Sequence, residues 1–344
     1  MTGPFMTGPL RATWLACSLA GAITAAPLAR AEAVAQPPAL AAFATGDGAY
    51  YTTIGGKVVD PYFVNKGFIV ALQANAPLRG EFAQWIQWLL PRQRKDGGFD
   101  RYCLDSKKQW HSCMKADADD SMASTTMQML ALAAEKNWIP AEQAPAARKA
   151  SSNARKLLNS LLNPSTQLYK VFANTELYYL MDNAEVYEGL RAVGASTAAN
   201  KLAAAMRSQF YTGTSWKPAI PEYTETRFYP HTLAHAYLWG NSILPANESA
   251  AAMAQWLAIH SATWLNRTGD QYAWGLVAWE LRVFAPAQAA CWRASLRPFS
   301  ESIGWTLLDA FVDRSLQELG VGTACATAQP SAPAAPPPAA KPSN

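Results

Sequence analysis

Three carboxylates, Asp117, Asp119 and Asp120, fall within four positions, immediately ahead of a run from Ser121 to Ala134 that carries no charge. Crowded carboxylates raise one another's pKa, which is how a site keeps one acid protonated beside an ionised one. That is the chemistry of a general acid and its partner, so this cluster is the expected centre of an active site. Capping is the plain structural alternative, since acids in a first helical turn favour the helix dipole and Asp119 or Asp120 suits an N-cap. One side chain satisfies an N-cap, however, and three acids repel one another. Two more acids, Asp182 and Glu185, stand at the head of the segment DNAEVYEGLRAV. The expected general acid is Asp119 or Asp120, and Asp182, or else Glu185, is expected to activate water.

The elements that must hold these acids are helices. Strand signals are almost absent, and nearly uncharged helical segments alternate with charged amphipathic ones. The uncharged set begins near Tyr62, Asp120, Asp182, Pro230, Asp270 and Ser302. More polar helices are expected near Glu81 to Leu90, Glu142 to Leu162, Thr197 to Gln209, Glu248 to Leu265 and Ala287 to Ala294. A helix apolar on all faces belongs inside a protein. Six buried helices alternating with solvated ones describe an all-α, single-domain (α/α)6 toroid, a six-hairpin barrel with a pocket at one end of its inner ring. A plain helical repeat would show a regular period and consensus, which this chain lacks.

The loops entering the inner helices are rich in acids, aromatics and histidine. Asp100, Tyr102, Trp110, Asp117, Arg227, Tyr229, His231, His235, Asp270, Tyr272 and Trp274 are the residues expected to contact substrate. Each has a structural explanation as well: Asp182 and Asp270 suit caps, His231 and His235 lie one turn apart as core histidines do, and Trp274 suits packing. Together they describe a sugar site, because pyranose rings present apolar faces and a rim of hydroxyls.

Residues 1–31 read as a signal peptide, with Arg11, a weakly apolar stretch and the small-x-small pattern Ala29-Arg30-Ala31. A catalytic domain is expected over 32–325 and a disordered Pro/Ala-rich tail over 326–344. The expected product is a periplasmic or secreted monomer, not integral to the membrane once the signal is cleaved. Beyond residue 31 the chain carries 27 basic against 25 acidic residues, a balance that gives no reason to invoke nucleic acid. No cofactor and no metal are expected: the Cys103 to Cys113 spacing does not suit a zinc knuckle, and His111 adds little. Four cysteines remain in a compartment that permits disulfides, so Cys103 is expected to pair with Cys113 and Cys291 with Cys325. The first bridge would stiffen the polar loop leading into the acidic cluster.

Architecture and motifs together resemble the six-hairpin (α/α)6 glycosidases. Met181-Asp182-Asn183-Ala184-Glu185 is similar to the place where unsaturated glucuronyl hydrolases carry an Asp-Asn type catalytic acid, and Asp117 to Asp120 resembles their second acid position. The Asp-Ala-Asp run is also similar to one in endoglucanases of the same barrel. This resemblance implies an exported glycoside hydrolase acting on a carbohydrate. A second resemblance joins QRKDGGF, from Gln93, to Asp117-Ala-Asp-Asp120 as the repeat and DxDD motif of class II terpene cyclases, in which Asp119 would protonate an alkene. A third reading keeps the pocket without catalysis, as a glycan-binding protein of an export system.

Overall fold

The chain commits to its first helix at Asp60-Pro61. Proline's fixed φ suits the first helical position, where a missing N–H costs nothing, and the Asp60 carboxylate accepts the Tyr62 amide at 3.0 Å. The computed structural model describes residues 39–223, 227–241, 243–296 and 304–325. The expected signal peptide and C-terminal tail lie outside the described residues. The elements run β1 (Val58–Val59), α1 (Pro61–Ala74), α2 (Arg79–Leu89), β2 (Asp100–Leu104), β3 (Trp110–Lys115), α3 (Asp119–Glu135), α4 (Ala144–Leu161), β4 (Tyr178–Tyr179), α5 (Leu180–Ala192) and α6 (Ser196–Phe210). They continue as β5 (Ala219–Ile220), α7 (Ala246–Leu265), α8 (Gly275–Leu281), α9 (Pro286–Ser295) and α10 (Leu307–Glu318). Short irregular turns of helix, Phe228–Thr232 and His235–Leu238, stand between β5 and α7.

The fold is predominantly helical, and contacts follow a circuit. α1 packs on α3, α3 on α5, α5 on the turn His235–Leu238, that turn on α8, α8 on α10, and α10 back on α1. Outside it, α4 lies on α3, α6 on α5 and α9 on α8. Two glycines permit close approaches between these helices. A Cβ at Gly67 of α1 would stand 2.2 Å from the Phe311 ring of α10, and one at Gly189 of α5 would stand 2.8 Å from the Ser124 carbonyl of α3. α3 is buried along most of its length, and the hydroxyls of Ser124, Thr125 and Thr126 are satisfied within the helix. Thr125 and Thr126 hydroxyls donate to carbonyls one turn back, at 2.7 and 2.8 Å, so burying them leaves no orphan donor.

Several sequence expectations are corrected. The loop between Cys103 and Cys113 is a β-hairpin: β2 pairs antiparallel with β3 and with β1, giving a three-stranded sheet in a chain expected to have almost none. Its turn is set by Asp105, whose carboxylate accepts the amides of Lys107 and Gln109. The helix expected from Pro230 is present only as short, irregular turns ending at Leu238, and Tyr229, ahead of the proline, stays outside it, extended at φ −101°, ψ 129°. The helix expected from Asp270 begins only at Gly275, after Asp270 turns back to accept the Tyr272 amide. Neither Asp119 nor Asp120 is the N-cap of α3. Ala118 occupies that position without a side-chain bond, and the two acids lie in the first turn, where the helix dipole favours them. Asp182 likewise sits inside the first turn of α5, with Tyr179 at its N-cap.

Cys103 and Cys113 are bonded across the hairpin with S–S 2.04 Å, and Cys291 is bonded to Cys325. Replacing Cys103 and Cys113 by Ser should lower unfolding free energy by about 2.5 to 3 kcal/mol through loop-closure entropy. Urea unfolding measures it, and an unchanged midpoint would show that the hairpin holds without its bridge. No helix among the described residues is long and apolar enough to cross a membrane.

Candidate active site

The helix starts of α1, α3, α5, α8 and α10, with the hairpin and Tyr229, surround a cavity of about 330 Å³. Asp60, Arg101, Asp117, Asp182, Asp270 and Asp309 bring charge to its lining, and Tyr62, Tyr179, Tyr229, Tyr237, Tyr272 and Trp274 bring aromatic rings. Tyr229 stacks on Trp274 with centroids 5.2 Å apart and planes 13° from parallel, and Tyr272 meets Trp274 edge-on. Such a wall fits the apolar face of a sugar ring.

Arg101 organises one side. Its Nε donates to Asp60 Oδ2 at 2.6 Å, and its Nη2 pairs with Asp117. Burial raises the Asp60 carboxyl and the guanidinium opposes that rise. The bond from Tyr62 N–H fixes the other oxygen, so Asp60 is held at both ends. Arg101 is itself held by β2, at the bulge that interrupts pairing with β3.

The second feature lies at the junction of α3 and α5. Asp120 is fully buried and Asp182 is 5% exposed. The two carboxyls are close enough to perturb each other, and the Oδ2 atom of each is buried without a hydrogen-bond partner. Two buried, neighbouring carboxyls do not both ionise, so the pair retains a proton. Burial, and then the charge of Asp182, pushes Asp120 well above the carboxylate range; burial, and then the charge of Glu185, does the same to Asp182. Asp182 reaches the cavity lining, whereas Asp120 stands behind it.

The remaining expected catalytic residues are placed elsewhere. Asp119 accepts from Arg94 Nη2 at 2.6 Å and lines an open groove with Asp96, Asp100 and Ser112, outside the cavity. A proton donor to an alkene would need that acid free and protonated in an apolar pocket, so this pairing removes the geometric basis of the cyclase resemblance. Asp119→Asn should cost less than about tenfold in turnover, where loss of a general acid costs about 10²-fold or more; steady-state kinetics on any responsive glycan decides it. Glu185 lies beneath the cavity, bonded to Lys66 Nζ at 3.0 Å and to the Tyr62 hydroxyl at 2.9 Å. Burial raises it, and Lys66 opposes the rise.

Of the expected substrate contacts, Asp117, Tyr229, Asp270, Tyr272 and Trp274 line the cavity. Asp100, Tyr102, Trp110, Arg227, His231 and His235 are not in that lining. Asp100 is paired with Arg94, the Tyr102 hydroxyl donates to Arg92 O at 2.7 Å, and Trp110 Nε1 donates to Asp47 at 2.6 Å. His231 Nδ1 accepts the Arg227 amide, and His235 Nε2 meets Trp216 O at 3.0 Å. Burial lowers His235, so its neutral ring donates to that carbonyl. Sequence reasoning missed Asp60, Tyr62, Tyr237 and Asp309. Asp60 was legible as an Asp-Pro helix start, and Asp309 as the fourth residue of a capping box with Thr306, which the structure forms.

No family model matches the sequence, and no curated protein does. The class of fold is nonetheless defined: solved structures of (α/α)6 glycosidases match it, and the resemblance of this chain to them holds at the level of the fold. One is a reducing-end xylose-releasing exo-oligoxylanase, 16% identical, with 83% of this chain and 84% of that chain covered and a TM-score of 0.51. Another is Rex8A from Paenibacillus barcinonensis in complex with xylose, 15% identical, with 84% and 86% covered and a TM-score of 0.52.

Proposed function

We propose that this chain is an exported glycoside hydrolase built as a closed (α/α)6 toroid, working on an oligosaccharide by carboxylate acid/base catalysis. The observation that carries the reading is the buried Asp120–Asp182 pair opening through Asp182 onto an aromatic cavity. Asp182 gives its proton to the glycosidic oxygen as the C–O bond breaks, with Asp120 behind it holding the acid in place. Asp60, paired with the Arg101 guanidinium and fixed by its helix-capping bond, takes the proton of the water that attacks the anomeric carbon. Both acids then reset through bulk water. Preorganisation favours Asp60 over Asp117 for this role, since the Asp117 side chain is 83% exposed.

The solved neighbours act on xylo-oligosaccharides, which makes these the first substrates to try, beside bacterial exopolysaccharide fragments. Release of reducing ends, with products sized by chromatography, tests the proposal. Binding without turnover on every glycan would leave a carbohydrate-binding protein instead. Residues 1–31 are proposed to direct export and to be removed, and the mass of the mature protein from the periplasm or medium checks this.

A further inference from the structure

The charges around the cavity constrain the substrate further, on the proposal that the cavity binds a glycan. Among the described lining residues there are five carboxylates, Asp60, Asp117, Asp182, Asp270 and Asp309, and one cation, Arg101. Arg101 is already committed, its Nε to Asp60 and its Nη2 to Asp117. Asp309 spends its oxygens on Gly275 N–H and on the Thr306 amide and hydroxyl, inside the wall. Asp182 is nearly fully buried beside Asp120. Asp117 and Asp270 remain as the acids that face an incoming ring from the more open part of the lining: Asp117 is mostly exposed, and Asp270 is half-buried, with one oxygen bonded to the Tyr272 amide. The rest of the described wall is aromatic, aliphatic or hydroxyl-bearing and offers no cation.

A sugar carboxylate or sulfate entering here would lose water, find no uncommitted cation among the described lining residues, and face two like charges. A neutral sugar meets the opposite situation. Its hydroxyls are donors, each carboxylate oxygen accepts, and its C–H face lies on Tyr229 and Trp274. We propose that Asp117 and Asp270 are specificity-determining residues that make the cavity a charge filter, admitting uncharged oligosaccharides and rejecting uronic-acid and sulfated ones. This departs from the glucuronyl hydrolase resemblance, whose substrate is an anion.

The test measures binding, so that it stands apart from the catalytic assignment. Calorimetry at low salt compares a neutral xylo-oligosaccharide with the same oligosaccharide carrying one glucuronate, on the wild-type chain and on Asp117→Asn, Asp270→Asn and the double variant. The expected wild-type preference for the neutral sugar is at least tenfold, falling to under threefold in the double variant and shrinking as salt is raised. Equal binding of both sugars to the wild type, or an undiminished preference in a double variant that melts normally, overturns the filter. Loss of turnover assignments alone, with the preference intact, would overturn the proposed catalytic acids and leave the filter standing. Absence of binding by any glycan overturns both.

Discussion

Asp182→Asn should abolish turnover, by about 10²-fold or more, while the protein folds and melts at least as well as the wild type. The two expectations come from one cause. The Asp120–Asp182 pair retains a proton that the unfolded chain would release above the ordinary carboxylate range. The native state then binds more protons than the unfolded state, so the pair's contribution to stability falls as pH climbs from about 4 toward the raised native value. Asparagine carries no such linkage and still offers an N–H to Asp120. The melting temperature of the variant relative to wild type should therefore rise with pH across that window, as kcat collapses. Thermal melts at several pH values and steady-state kinetics on the same preparations give both readouts. A variant that keeps its rate removes Asp182 from the chemistry. One that loses rate together with its fold makes it a structural acid.

Lys66→Met should cost the most stability of any single change beneath the cavity. Lys66 is 5% exposed, its ammonium lies 3.0 Å from Glu185 and 3.5 Å from Glu188, and Glu185 is 1% exposed. Burial disfavours the ammonium, but the two carboxylates outweigh it and raise Lys66. Glu280 shares the same buried pocket, where burial and then the charge of Glu188 raise it to about 7. Removing the lysine strands Glu185 in the interior, and breaking a buried pair from one side costs roughly 3–5 kcal/mol. In a chain of this size that is on the order of 10 °C in melting temperature. Adding Glu185→Gln should restore part of the loss, because the stranded charge goes with it. A single-variant loss under about 1 kcal/mol, the range of exposed pairs, would mean that water reaches the cluster.

The first helix shows how far local rules reach. Asp-Pro ahead of an apolar run specifies a capped start, and α1 begins there. Both cysteine pairings also followed from number and spacing, and both bonds are present. Where the reading failed, a local rule had been given too little weight. Asp270 satisfies an amide two residues on, so the helix expected there is delayed to Gly275, while the one expected from Pro230 is short and irregular. The hairpin was read as a loop because its strands are short and mostly polar, and its partner β1 is two residues long.

The acidic cluster marks the boundary between what the sequence determined by itself and what tertiary structure decided. Composition and order placed three acids at the mouth of a buried helix. Neighbouring residues on a helix differ by roughly 100° in direction, so Asp119 and Asp120 had to face different surroundings. An amphipathic helix would have revealed which faced inward through its apolar stripe. α3 has no such stripe, being buried on most sides, and its phase was invisible in the chain. Only the packing of α3 on α4 and α5 gave Asp119 to Arg94 in the outer groove and Asp120 to Asp182 behind the cavity. The same holds for Arg101 and Asp60, which meet because β2 pairs with the strand that leads into α1. Contacts between residues far apart in sequence depend on helix rotation and strand register together, and neither is encoded in the spacing of any one motif.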